Sequence, residues 1–178
     1  MTPVLLLALP VLATAAVVED FSTAPGLELV QASARGTSAA VEAAPGGANL
    51  ALVLRLAEQH GKLHEVYLLT GVAQQGAATV TVRARATGTA ELWSLALRVR
   101  DAKGETFQFA TRAKPAATWT DLVYEVRDGA QQGSWGTPTT GAMGGTWRVS
   151  GFGLSCREKS GTAEVWIDDI ACVPAQAP

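Results

Sequence analysis

Two adjacent carboxylates, Asp168 and Asp169, interrupt the apolar run "AEVWIDDI" near the C-terminus. Paired acids can do acid–base chemistry on a glycosidic bond, but the two groups must then stand roughly 5–10 Å apart on opposite sides of it. Neighbours on one strand cannot do so. Their other chemistry is to hold a hard cation, which takes carboxylate and carbonyl oxygens. His60 and His64 in "HGKLHEVY" have the spacing of a helical zinc pair. Their flanks read as turn and then strand, and the order is not H-E-x-x-H, which argues against that site. No G-x-S-x-G nucleophile elbow occurs. Of the two tyrosines, Tyr124 falls on a core position, which disfavours a tyrosine–histidine lyase. A non-catalytic chain is expected.

Strands must position these groups. "AATVTVRARATG" alternates, with Val80, Val82 and Ala84 on one face and Thr79, Thr81, Arg83 and Arg85 on the other. In residues 91–111, Trp93, Leu95, Leu97 and Val99 share a face. Asp101 and Gly104 suit a turn with a bulge glycine, and Phe107 and Phe109 then face Val99 and Leu97. "TDLVYEV" and "NLALVLRLA" are further strands, and residues 149–173 read as a closing hairpin turning at "KSG". No stretch has a 3.6-residue apolar period. The expected fold is all-β, an antiparallel jelly-roll β-sandwich. Within the last strand, Val165 and Ile167 take one parity and Ile170 and Cys172 the other. A β-bulge at Asp168-Asp169 reconciles them and aims carboxylates sideways.

The chain has 178 residues, 48% apolar and 17% charged, which is globular composition for one domain. Its formal charge of -2 gives no basic field for nucleic acid. "MTPVLLLALPVLATAA" reads as a signal peptide over residues 1–16, with Ala13-Thr14-Ala15 as the small-residue cleavage pattern. A single domain is expected over 17–174, with a tail at 175–178. Export implies a secreted or periplasmic protein, with no membrane association after cleavage. Cys156 and Cys172 are expected as free, buried thiols. In a closing hairpin they would lie roughly 25 Å apart at strand rise, beyond disulfide reach.

"VVEDFST", "TWTDLVYEV" and "VWIDDIACV" together resemble the galactose-binding-like jelly rolls that serve as carbohydrate-binding modules of bacterial glycoside hydrolases. The resemblance implies a polysaccharide or glycan ligand and a structural calcium between the first and last strands. Its acids would be Asp20 and Asp168, with Glu19 and Asp169 beside them. The family pattern Asp-Phe-Glu is broken here by Ser22. For the sugar, the outward strand positions Arg83, Arg85, Ser94, Arg98, Gln108 and Arg112 predict a polar, basic face without aromatic platforms. Arginine forks suit carboxylates, so a uronate polysaccharide is one reading. Trp135, in a Gly-rich loop, and the outward-pointing Trp166 are the candidate stacking rings. Trp119 reads as a lid on the core. The alternative function is a structural or protein-interaction jelly roll with no sugar ligand.

Overall fold

The computed structural model describes residues 15–21, 36–46, 49–68, 72–137 and 139–175. Residues 1–14 of the expected signal peptide lie outside them. The described residues form strands β1 (Ala16–Glu19), β2 (Thr37–Ala43), β3 (Leu50–Leu56), β4 (Leu63–Tyr67), β5 (Gln74–Gln75) and β6 (Ala78–Gly88). They continue with β7 (Leu92–Asp101), β8 (Thr106–Phe109), β9 (Thr120–Val126), β10 (Gly133–Trp135), β11 (Thr146–Cys156) and β12 (Ala163–Pro174). None of them is helical. Two antiparallel sheets result: β2-β3-β12-β6-β9 with β1 beside β12, called sheet I, and β10-β8-β7-β11-β4 with β5 beside β11, called sheet II.

The alternating apolar positions meet between the sheets. Val80, Val82, Leu122, Tyr124, Val165 and Ile167 from sheet I pack with Leu95, Leu97, Phe107, Phe152 and Leu154 from sheet II, all fully buried. The β7–β8 register is as expected: Phe107 opposes Val99 and Phe109 opposes Leu97, with Gly104 at φ 93° in the turn. Trp93 is a correction. It is 57% exposed, with Lys114 Nζ 5.2 Å from its ring centroid. The β11 register shifts between Ser155, opposite Ser94, and Cys156, opposite Leu92. Trp93 is therefore the extra residue of a bulge, and Leu92 takes the inward position.

The Asp168-Asp169 bulge is present. The β12–β6 register breaks between Asp168 and Ala171, and Asp169 adopts φ 44°. Val165, Ile167, Ile170 and Cys172 all reach the core. On its other edge β12 changes neighbour at the same place, pairing β3 up to Ile167 and β1 from Ile170. The bulge thus joins two short edge strands to one long strand.

The closing hairpin does not exist. β11 belongs to sheet II and β12 to sheet I, so residues 157–162 cross from one layer to the other. Both strands carry apolar faces that the interlayer core can bury only from opposite sides. Both cysteines are nevertheless free and buried, separated by the change of sheet and not by hairpin distance. We expect thiol titration without reductant to count no reactive cysteine in the native protein and two after unfolding. A disulfide in the intact mass would contradict the strand placement.

Candidate functional site

The outward side of sheet II carries an arginine that sequence alternation places in water. Arg98, on β7, is instead 2% exposed. Burying a guanidinium is costly unless every fork finds a partner. Here Nη2 donates to the Glu65 carboxylate of β4 and Nη1 donates to the Tyr67 hydroxyl at 3.1 Å. Nε and Nη2 also donate to Gln108 Oε1 of β8, at 3.4 and 3.3 Å. The guanidinium carbon lies 4.8 Å from the Trp135 ring centroid of β10 and 5.4 Å from that of Tyr67, within cation–π range. Arg98 therefore organises a patch spanning the sheet and is itself covered by it.

Two glycines make room. Gly153 of β11 opposes Glu65 and Ala96, and a Cβ there would sit 3.0 Å from Arg98 Nη2. Gly151 opposes Tyr67, and a Cβ there would meet the Val66 carbonyl at 2.1 Å. A side chain at position 153 would displace the guanidinium, and one at position 151 would push β4 away from β11. The patch thus has two half-buried rings, Trp135 and Tyr67, beside the Arg98 guanidinium, with the Glu65 carboxylate and Gln108 amide next to them. Gln108 turns its oxygen to Arg98, which directs its NH2 away from the guanidinium.

Trp135 is held by buried acids. Glu105, at the start of β8, accepts from Thr140 N and Oγ1 at 2.8 and 2.7 Å and from Gly141 N at 2.8 Å. Burial raises its pKa, but these bonds and one from Ser134 outweigh that and hold it down to about 2. Asp101 accepts from Glu105 N at 3.0 Å and from Gly144 N at 3.2 Å. The loop after β10 is so tied to the turn of the β7–β8 hairpin, whose strands carry Arg98 and Gln108.

The candidate sugar residues therefore separate. Arg98, Gln108 and Trp135 come together on sheet II. Arg83 lies on sheet I, on the opposite side of the molecule. There Nη1 pairs with Asp169 Oδ2 at 3.2 Å and the guanidinium carbon stands 5.3 Å from the Trp119 ring. With Thr81, Asp121 and Ala171 these line an open depression of about 540 Å³. Trp119 is half-buried on that outer face, not a lid on the interlayer core. Trp166 points outward from sheet I as expected but is 5% exposed, packed with Ala51 and Val53. That burial leaves the ring no open face for stacking, and the Arg55 guanidinium lies 5.7 Å from its ring centroid. The single basic face without rings is thus replaced by two faces, each pairing an arginine with aromatic rings. Sequence reasoning missed Tyr67 and Glu65. The alternation of "LHEVYL" contains them: His64, Val66 and Leu68 are buried and Glu65 and Tyr67 lie between.

The four acids expected around an ion also divide. Asp168 is buried at the bulge, where its Oδ1 accepts from Asp169 N at 2.9 Å. Burial raises its pKa, and the charges of Asp169 and Asp20 raise it further. Asp169 is engaged by Arg83, and Glu19 Oε1 accepts from Phe21 N at 2.8 Å. Asp20 and Asp168 flank the place where pairing with β3 has stopped and that with β1 ends, and the Asp20 charge is among the influences that raise the Asp168 pKa.

Arg98→Met keeps volume and removes every donor. It should lower the unfolding free energy by about 3 kcal/mol, the scale for breaking a buried ion pair, read from the urea midpoint. A loss below about 0.5 kcal/mol, the ordinary range of surface substitutions, would show that Arg98 is not the hub described.

No family model matches the chain, and no curated protein matches it. Solved structures do. A family 11 carbohydrate-binding module from Clostridium thermocellum, in complex with a β-1,3-1,4-mixed-linked tetrasaccharide, superposes with TM-score 0.59 at 9% identity, over 92% of this chain and 98% of that one. A family 29 carbohydrate-binding module gives TM-score 0.51 at 13% identity, over 90% and 92%. An exo-beta-agarase gives TM-score 0.55 at 12% identity over 90% of this chain, which spans only 26% of the agarase chain. The fold is the jelly-roll β-sandwich of carbohydrate-binding modules.

Proposed function

We propose that this chain is a non-catalytic module that binds a polysaccharide on the outward face of sheet II. The observation that carries the reading is the convergence of Trp135, Tyr67, Glu65 and Gln108 on one buried arginine. Half-buried rings offer surfaces for the apolar faces of sugar rings. The carboxylate and the amide NH2 offer an acceptor and a donor for hydroxyls. Because Arg98 is already paired with Glu65, the patch presents no unbalanced positive charge. A neutral glycan suits it better than a uronate. The carbohydrate-binding modules of like fold support the class of ligand but not its identity. The expected signal peptide of residues 1–16 ends at the first residue of β1, and cleavage after Ala15 would leave that strand whole.

Trp135→Ala should abolish retention on neutral polysaccharides in affinity electrophoresis, and Gln108→Ala should weaken it while also lowering the melting temperature, because the buried Arg98 loses an acceptor. Arg83→Ala should leave retention unaltered. Loss with Arg83→Ala alone would move the site to the sheet I depression.

We also propose that calcium binds at the β12 bulge, with Asp20 and Asp168 as its acids and backbone carbonyls of the bulge beside them. Calcium would offset the repulsion at Asp168. In its absence the raised pKa means that the folded state holds the proton more tightly than the unfolded state. This contribution to stability is complete below the ordinary carboxylate pKa and is lost as pH rises through the folded one. Asp168→Asn should therefore raise the melting temperature in chelator at neutral pH and abolish the rise that calcium gives the parent protein. A calcium response that survives this substitution would place the ion elsewhere.

A further inference from the structure

We propose that His60, His64 and Cys156 form a buried site for a thiophilic metal ion, zinc(II), at one end of the sandwich. The site is separate from the sugar face and from the bulge. Its histidines are not a helical pair. His60 lies in the turn between β3 and β4, and His64 points inward from β4. Antiparallel pairing sets Leu154 opposite His64 and Ser155 opposite Leu63, and Cys156 N donates to Lys62 O at 2.7 Å. The thiol thereby arrives beside both rings. One donor atom from each of the three residues lies within 4.8 Å of the other two, and all three residues are buried.

The hydrogen bonding leaves a ligand atom exposed to this space. His60 Nδ1 is 2.6 Å from the Gly61 carbonyl, which can only accept, so Nδ1 carries the proton. Its Nε2 is then a bare lone pair. It is buried and has no hydrogen-bond partner, in a residue only 6% exposed. Such a group costs free energy unless something occupies it. His64 has Nδ1 2.5 Å from Thr37 Oγ1 and Nε2 3.1 Å from Gly61 O. Ligation through Nε2 would exchange the longer contact for the ion and leave Nδ1–H to donate to the Thr37 hydroxyl. Both imidazoles would then bind through Nε2 with the opposite N–H held by an oxygen, the usual support for a metal-bound histidine.

The donor set selects the ion. Two imidazole nitrogens and one sulfur suit zinc and exclude calcium or magnesium, which take oxygen. Binding would take the neutral imidazoles and the Cys156 thiolate, whose proton would pass to water. Three protein ligands leave a fourth position for water. An ion here would tie the β3–β4 turn to β4 and to the end of β11.

The test uses the full chain, washed with chelator and titrated with cobalt(II) and zinc(II). One equivalent of cobalt should give a thiolate-to-metal charge-transfer band with tetrahedral ligand-field bands, displaced by zinc. Zinc at about a hundredfold its Kd should raise the melting temperature by roughly 5–10 °C. Cys156→Ser should remove the charge-transfer band and Cys172→Ser should keep it. His60→Gln, which preserves bulk, should weaken zinc by at least roughly tenfold. Should Cys156→Ser fold poorly, peptide mapping of thiol modification in mild denaturant decides: zinc should protect Cys156 and not Cys172. No thiolate band in the parent protein, a band that persists in Cys156→Ser, or equal modification of both cysteines with zinc present overturns the proposal.

Discussion

A guanidinium taken out of water must have all its donors answered, and Arg98 meets that demand on the outside of a sheet. The cost of desolvating it fixes the groups around it. Glu65 must approach from one edge strand, Gln108 from the neighbouring strand, and Tyr67 and Trp135 must close over the charge. Gly153 has to stay small so that the fork can lie flat. The position of Trp135 depends in turn on Glu105, whose oxygens take the amides of the following loop. A chain of electrostatic satisfaction therefore runs from a core-facing turn to a ring on the surface. The side chains of the patch are thus held in place by one another, which limits the ordering cost they would pay on binding any ligand.

Regular pairing sets what the strands cannot do, and the departures from it set what they can. β12 has one continuous partner in β6 but changes from β3 to β1 on its other edge. A residue is gained there, the phase of the apolar face is restored, and two carboxylates are left where no ladder needs them. β11 behaves in the same way. It pairs β5 at Thr146 and Trp147, shifts register against β7 around Ser150, and pairs β4 from Gly151. Beyond the shift, Gly151 lies close against the β4 backbone and Gly153 against the Arg98 guanidinium.

Much of this was legible in the sequence. Alternation in residues 78–88, 92–101 and 120–126 gave strands and inward faces, and the parity conflict around Asp168 required a bulge. The misreadings share a cause. Parity says which side of a strand a residue takes but not which sheet the strand joins. Arg83 and Arg98 follow the same rule of alternation and end on opposite sides of the molecule. The segment from Cys156 to Ala163 looks like a hairpin because its flanks are strands, yet pairing partners are decided by the whole core. Trp93 was misplaced because a bulge in its own strand shifts phase by one, with no glycine or acid to mark it. Alternation places Trp166 outward, and outward is not the same as exposed. A second, smaller apolar cluster with Ala51 and Val53 covers it.

The histidines show the limit most plainly. As a local signal their spacing fails, because no helix holds them. What joins them is Cys156, more than ninety positions away in sequence and brought near by the β4–β11 ladder. A jelly roll places the end of nearly every strand beside a residue distant in sequence, so ligand sets on this fold are scattered by construction. Each candidate group lies where backbone pairing stops or changes hands: the acids at the junction of β3 and β1, the histidine–cysteine cluster at the mouth of β4 and β11, the stacked rings on the two edge strands of sheet II. Inside a continuous ladder the backbone satisfies itself and side chains only pack or dissolve. At its interruptions polar groups are left to find partners of another kind, and there a ligand or an ion competes on favourable terms with water.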